Sequence, residues 1–332
     1  LISWQPDQAV KLVANPDWWD KPDGNVTELS YLPIKSAPTR VAALLSGDVD
    51  LVTDLPPADF LRLKDDGKVK VVEGPETRTI FFVMDQGSDE IKDSSVRGRN
   101  PFKDKRVREA LNLALDREAI RRAIMRGLSV PAALMVPPGV NGYDAALDQP
   151  LKPDLEKARK LLADAGYAQG LELPLHCPNN RYINDEQICQ AAASMWAKVG
   201  VKIRLISTPF QVHAQTFQRG ESAFYMLGWG VSTYDALYAL QALAHTRTQG
   251  ADGNFNFGRL SDARLDELIQ RIKFEPDVAK RNGLIREALV RLRDEAFFIP
   301  LHHQIRPWAM KPGVETLHRS NDYFEARYTR LK

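Results

Sequence analysis

The sequence predicts an α/β protein, and three observations carry the prediction. Strand-like and helix-like segments alternate along nearly the whole chain, the pattern that builds layered α/β folds. Residues 171–206 hold a complete strand–helix–strand unit. Thr79-Ile-Phe-Phe-Val-Met84 is a continuous apolar run of strand length, which expects burial on both faces. At 332 residues the chain is long enough for two domains and a substantial core.

In chain order, residues 26–34 are rich in strand formers. Pro38 and Thr39 open a short helix that Gly47 ends, and Val49-Asp-Leu-Val-Thr53 reads as the next strand. Pro56-Pro57 starts a helix through about Lys64, and Lys68-Val-Lys-Val-Val72 alternates as a separate strand. Val107, Ala110, Leu111 and Ala114 share one helix face. Asp116 caps a second helix carrying Ile120, Ala123 and Ile124, which stops at Gly127. The loop 137–142 precedes a helix over 154–165, ended by Gly166. In the central unit, Leu171-Glu-Leu-Pro-Leu175 is a strand, and a helix over 185–199 turns Ile188, Ala192, Met195, Trp196 and Val199 inward. Val201-Lys-Ile-Arg-Leu205 then alternates strictly, which implies a parallel pair with a right-handed crossover. A helix over 210–219 and a strand over 223–229 extend the sheet. Two amphipathic helices follow Asn254, and Phe297-Phe-Ile-Pro-Leu301 is the last strand.

Composition excludes several functions. The 45 basic and 43 acidic residues leave a net charge of +2, without the clustered basic excess of a nucleic-acid binder. Lys103, Lys105, Arg106 and Arg108 are diluted by Asp104 and Glu109 and read as a solvated helix face. No apolar run approaches the ~18 residues of a membrane span. There is no Gly-x-Ser-x-Gly elbow and no Walker loop. None of His176, His213, His245, His302, His303 and His318 shows the His-x-x-x-His spacing of a helical metal site. His302 and His303 point to opposite faces of a strand and read as interface or surface residues. Cys177 and Cys189 read as two buried free thiols, with a disulfide as the alternative.

Four segments stand in a telling order: Asn15-Pro-Asp-Trp-Trp19, Thr39-Arg-Val-Ala-Ala-Leu-Leu-Ser-Gly-Asp-Val-Asp50, Pro101-Phe-Lys-Asp-Lys-Arg-Val-Arg-Glu-Ala-Leu111 and Gly228-Trp-Gly230. Asp54-Leu-Pro-Pro57, Ala114-Leu-Asp-Arg-Glu-Ala-Ile120, Leu161-Leu-Ala-Asp-Ala-Gly-Tyr167 and Ile299-Pro-Leu-His-His303 fit between and after them. Together they resemble the extracytoplasmic solute-binding proteins of ABC importers, family 5, the dipeptide/oligopeptide-binding group. The resemblance implies a two-lobed periplasmic-binding-protein-like fold of type II, peptide-binding cluster. Ligand would be enclosed between the lobes, which crossing strands join. Residues 1–81 and 302–332 would form the first lobe, incomplete here, and 82–301 the second. The chain opens Leu1-Ile-Ser-Trp-Gln-Pro, so a preceding portion with an export signal is expected. A periplasmic or cell-surface-tethered monomer is implied, a receptor rather than an enzyme. Its partners would be a small solute and a membrane permease, not nucleic acid, and it needs no metal or organic cofactor.

The ligand-binding candidates follow from the same resemblance. Trp229 leads, with Gly228 and Gly230 beside it as small neighbours that would let the indole face a ligand; a plain core tryptophan is the alternative. Ser232, Tyr234 and Asp235 lie in the loop just after it. Peptide-binding members place an Asp three residues after this Trp, paired with the ligand's α-amine. Here Ser232 stands at that position, and Asp235 is the available substitute. Asn179, Asn180, Arg181, Tyr182 and Asn184 form either a cleft wall, with Arg181 for a carboxylate, or a solvated turn with Asn184 or Asp185 as helix cap. Met84 and Asp85 stand at the outgoing crossover, Asp85 where many relatives carry Asn. Asn254, with Phe255 and Asn256, is a further polar-aromatic loop. A peptide or peptide-like solute is expected. An opine, a sugar or a metal chelate is the alternative, and a hydrolase the more distant one.

Overall fold

A computed structural model describes residues 1–332. The chain divides into two compact units: Leu1–Glu76 with Ile305–Lys332, and Thr77–Gln304.

The first unit opens with an antiparallel meander, β1 (Ser3–Gln5), β2 (Ala9–Val13) and β3 (Glu28–Tyr31). The Asn15-to-Trp19 segment lies between β2 and β3, with Trp19 80% exposed. Helix α1 (Ala37–Ser46) is capped by the Ser36 hydroxyl and closed by Gly47 at φ +89°. The left-handed turn is why a glycine ends it. Strand β4 (Leu51–Val52) and helix α2 (Pro57–Asp66) follow. The chain leaves this unit within β5 (Lys70–Met84).

Two strands read separately, 68–72 and 79–84, are thus one strand. Gly74 and Pro75, between the two segments, both sit in extended backbone. β9 pairs with β5 only from Arg78 onward, so Pro75 forfeits no ladder bond on that side. A Cβ on Gly74 would lie 2.5 Å from His318 Nδ1, so this glycine serves a close approach rather than a turn.

The second unit begins with α3 (Lys105–Leu113), α4 (Arg117–Ala123), β6 (Ser129–Pro131) and α5 (Leu155–Asp164). Asp104, Asp116 and Asp154 cap the three helices with side-chain oxygens. Next come β7 (Leu171–Pro178), α6 (Asp185–Ala197) and β8 (Val201–Thr208), and β7 and β8 pair in parallel from Leu171↔Val201 to Pro178↔Thr208. This stretch is the strand–helix–strand unit expected from its sequence. Then α7 (Phe210–Gln218) leads to β9 (Phe224–Gly230), which pairs antiparallel with β5 and parallel with β7. The short α8 (Ala236–Ala239) runs into a π-helical turn at Leu240–Ala244, in a stretch given no element above. Helices α9 (Ala263–Phe274) and α10 (Val278–Asp294) precede β10 (Phe298–Met310), along which the chain returns to the first unit. Strand order is β10-β5-β9-β7-β8, with β6 on β10.

Alternation along β5 builds two cores. Ile80, Phe82 and Met84 enter one, with Trp196, Phe224 and the α3 and α6 apolar faces. Phe81 and Val83 enter the other, with Trp229, Leu265, Leu289 and Phe298. A strand buried on both faces needs no polar alternation, which accounts for the continuous apolar run.

In the first unit, Trp308, Met310 and Val314 form a small core with Leu51, Val72 and Phe324. Strands β11 (Val314–Glu315) and β12 (Arg330–Leu331) close the chain there.

Two expectations are corrected. His302 and His303 are both buried, at 3% and 2% exposure, because β10 is covered on each face. Cys177 and Cys189 are joined as a disulfide, their Cα atoms 6.7 Å apart; no free cysteine remains. Strand β7 and helix α6 bring the two thiols together across the loop that carries Asn179 to Asn184.

Candidate functional site

The aromatic end of β9, within the second unit, carries the leading candidate. Trp229 is paired with Thr79 across the β5–β9 ladder, so its indole shares the face of Phe81 and Val83. The ring lies 5.2 Å from Tyr238 and 4.8 Å from Phe255, centroid to centroid. Phe255 in turn meets Phe257, which meets Phe217. Tyr238 and Phe255 remain 36% and 40% exposed, whereas Trp229 keeps only 9%. Its Nε1 is buried and makes no hydrogen bond. Such a donor without an acceptor costs about 1–3 kcal/mol of desolvation. Tyr238 was not among the residues singled out from sequence. It reaches the indole because α8 turns the chain back after Asp235, and no motif announces that turn.

The flanking glycines act on the opposite face. A Cβ on Gly228 would lie 2.7 Å from Tyr182 Cε1 and 2.6 Å from Ile80 Cδ1. A Cβ on Gly230 would lie 3.2 Å from Arg78 Nη2. These glycines therefore admit Tyr182 and Arg78, rather than exposing the indole as the sequence reading had it. Side chains alternate across a strand, so Trp229 and the Tyr182 group occupy different faces of one sheet end. Tyr182 is buried, and its hydroxyl accepts the Gly228 N–H at 2.9 Å. Burial raises its pKa, and Arg78 and Arg181 offset part of that.

The 179–184 loop is built by Asp185. Its buried carboxylate accepts the N–H groups of Arg181, Tyr182 and Glu186 at 2.9–3.0 Å. Burial raises the Asp185 pKa, and those bonds offset it only in part. Asn184, at φ +53°, precedes α6 without a side-chain cap and donates instead to Ile124 O at 2.9 Å. Asn180 accepts the Phe210 N–H. Asn179 and Arg181 are exposed, and the Arg181 guanidinium lies 5.4 Å from both the Tyr182 and Phe210 rings.

Two carboxylates are engaged inside the unit. Asp235 receives both terminal nitrogens of Arg281, at 2.7 and 2.8 Å, the Asn141 amide at 2.9 Å and the Leu237 N–H. Burial alone would raise its pKa, but these donors more than offset it and hold the carboxyl below its usual range. Asp85 is 2% exposed and bonded by Arg259, Ser88 and the N–H groups of Gly87 and Ser88. Neither offers a free oxygen pair to an amine. Met84 is fully buried in the α3–α6 core. Ser232, Tyr234 and Asn254 are exposed, and Tyr234 turns its backbone at φ +56°.

Sequence reading missed one buried polar chain. Thr79 Oγ1 lies 2.8 Å from His303 Nδ1, and His303 Nε2 lies 2.9 Å from Asp148 Oδ2. Asp148 Oδ1 accepts the N–H groups of Ala133 and Leu134. The Thr79 hydroxyl at its end is fully buried. His302, one residue away, has neither ring nitrogen bonded, and burial lowers its pKa to about 3. No cluster of three His, Cys, Asp or Glu side chains is arranged for a metal ion, and no helix is long and apolar enough to cross a membrane.

Comparison with known proteins gives the family of the chain. The model for bacterial extracellular solute-binding proteins, family 5 (middle), matches residues 1–251. Heme-binding protein A of Haemophilus influenzae is 27% identical over 334 residues, which cover 99% of this chain and 58% of that protein. The periplasmic oligopeptide-binding protein OppA of Escherichia coli is 25% identical over 338 residues, covering 99% of this chain and 59% of that one. This chain thus spans less than two thirds of the length of these relatives. Among solved structures, the periplasmic binding protein DppA of Helicobacter pylori, in complex with the peptide STSA, superposes with a TM-score of 0.83 at 20% identity. That match covers 99% of this chain and 61% of the other, and at such identity it shows a shared fold. The α/β class read from the sequence agrees with it. With residues 1–251 of its 332 matched by the family model, the chain belongs to the bacterial extracellular solute-binding proteins of family 5.

Proposed function

We propose that the protein is the solute receptor of an ABC importer, capturing a small solute between two lobes and handing it to a membrane permease. The two compact units would be those lobes, and the protein would work in the periplasm or tethered at the cell surface. The observation that carries this reading is the Trp229–Tyr238–Phe255 face with its unpartnered indole N–H, in a chain of this family. A ring or flat apolar group would stack there, and an acceptor would receive a hydrogen bond from the indole N–H.

Relatives named for oligopeptide and for heme leave both peptide and non-peptide solutes in view. Side chains near Trp229 favour the second. Ser232 is neutral, and Asp235 is held by Arg281, so no carboxylate in this loop is available for a free α-amine. A charge-assisted bond is the stronger kind, and a peptide would lack it here. We therefore favour an opine-like, sugar-like or chelate solute, or a peptide whose amine is blocked.

Native mass spectrometry and thermal-shift screening test the reading, against di- to pentapeptides, N-acylated peptides, amino-acid conjugates, sugars and heme. A melting shift that grows with concentration supports a receptor and names the solute class. A preference for free-amine peptides would overturn the non-peptide choice. Turnover of a solute without a binding shift would overturn the receptor.

A further inference from the structure

A cavity of about 390 Å³ lies within the second unit, between α3, α10 and the start of β10. Its size falls in the range of small-molecule pockets. Leu134, Met135, Leu289, Leu292 and Phe298 supply an apolar floor.

Arg117 lines the same cavity and is itself only 5% exposed. Its guanidinium donates to neutral oxygens alone: Pro300 O at 2.7 Å, Asn112 O at 3.4 Å and the Asn112 amide oxygen. No carboxylate pairs with it. Asp148 acts on it through space, but the Asp148 oxygens serve Ala133, Leu134 and His303. Burial lowers the Arg117 pKa to about 10. A buried cation without a counter-ion is expensive, and a carboxylate matches the planar fork of an arginine.

The cavity mouth repeats the charge preference. Glu109 and Asp294 are paired with Lys105 and Arg293, while Lys157 at the rim makes no ion pair.

We propose that this cavity binds a small amphipathic carboxylate, its acid group on Arg117 and its apolar body along Leu289, Leu292 and Phe298. The site is separate from the Trp229 face, and the solute reading above does not depend on it.

Decanoate and its neutral counterpart decanamide are the probes, titrated calorimetrically into the folded chain. Decanoate is expected to bind about tenfold or more tightly than decanamide. Arg117→Gln should remove that preference. Ala133→Phe fills the cavity from a half-buried position and keeps the Ala133 N–H bond to Asp148, so it should weaken decanoate by at least about tenfold. Equal binding of the two probes, no decanoate binding at all, or full decanoate binding by Ala133→Phe would each overturn the proposal. The last variant decides the matter should Arg117→Gln fail to fold.

Discussion

Tyr182 and Gly228 interlock: the tyrosine hydroxyl accepts the glycine N–H at 2.9 Å, and its ring fills the space a Gly228 side chain would need. Gly228→Ala should therefore displace Tyr182 and Ile80 and destabilise the protein by about 1–3 kcal/mol. Urea unfolding of the variant measures this. An unchanged midpoint would show that the strand end relaxes freely.

Asp235 and Arg281 form a two-pronged pair that anchors the loop after Trp229. Asp235→Asn should lower stability by about 1.5–3 kcal/mol at neutral pH. The folded carboxyl pKa is depressed, so this stabilisation is present above about pH 4 and is lost as pH falls through the folded pKa. Wild type and variant should accordingly converge in stability below pH 4. Solute affinity should hold in the variant, since the carboxylate faces Arg281; a loss confined to amine-bearing ligands would return Asp235 to the binding site.

Buried histidines set a second pH dependence. Burial lowers His302 to about 3 and His213 to about 4, from an ordinary value near 6.5. The unfolded chain then binds more protons than the folded one below about pH 6.5. Stability should fall as pH drops from there toward 4, by about 1.4 kcal/mol per pH unit for each proton taken up. Together these two histidines should add up to two protons of uptake on unfolding in that window, and His302→Leu should remove one of them. An unchanged slope in the variant would contradict the burial of neutral His302.

The Cys177–Cys189 disulfide closes the base of the Asn179–Asn184 loop. Replacing both cysteines with alanine should cost about 3 kcal/mol in the chain-entropy picture. Comparison of chemical unfolding with and without a reductant checks this; equal stability would mean that the bridge constrains little.

Much of this fold is legible in residue order. The cap at Asp116, the stops at Gly47 and Gly166, and strict alternation in β8 each mark an element locally. Long-range pairing is not legible that way. Nothing near Asp85 announces Arg259, and nothing near Asp235 announces Arg281, yet those partners decide whether either carboxylate can serve a ligand. Gly74 likewise answers to a residue far along the chain, His318. Trp229 is legible as a strand-end aromatic. Which face it takes depends on register with Thr79, a partner set by the sheet.

Calorimetric titration of the best solute from the screen into wild type and Trp229→Ala tests the central claim most directly. Wild type should saturate at one site, with affinity reduced by about ten- to a hundredfold in the variant, the scale of an aromatic anchor. Equal affinity in the two folded proteins would contradict the placement of the solute on the Trp229 face.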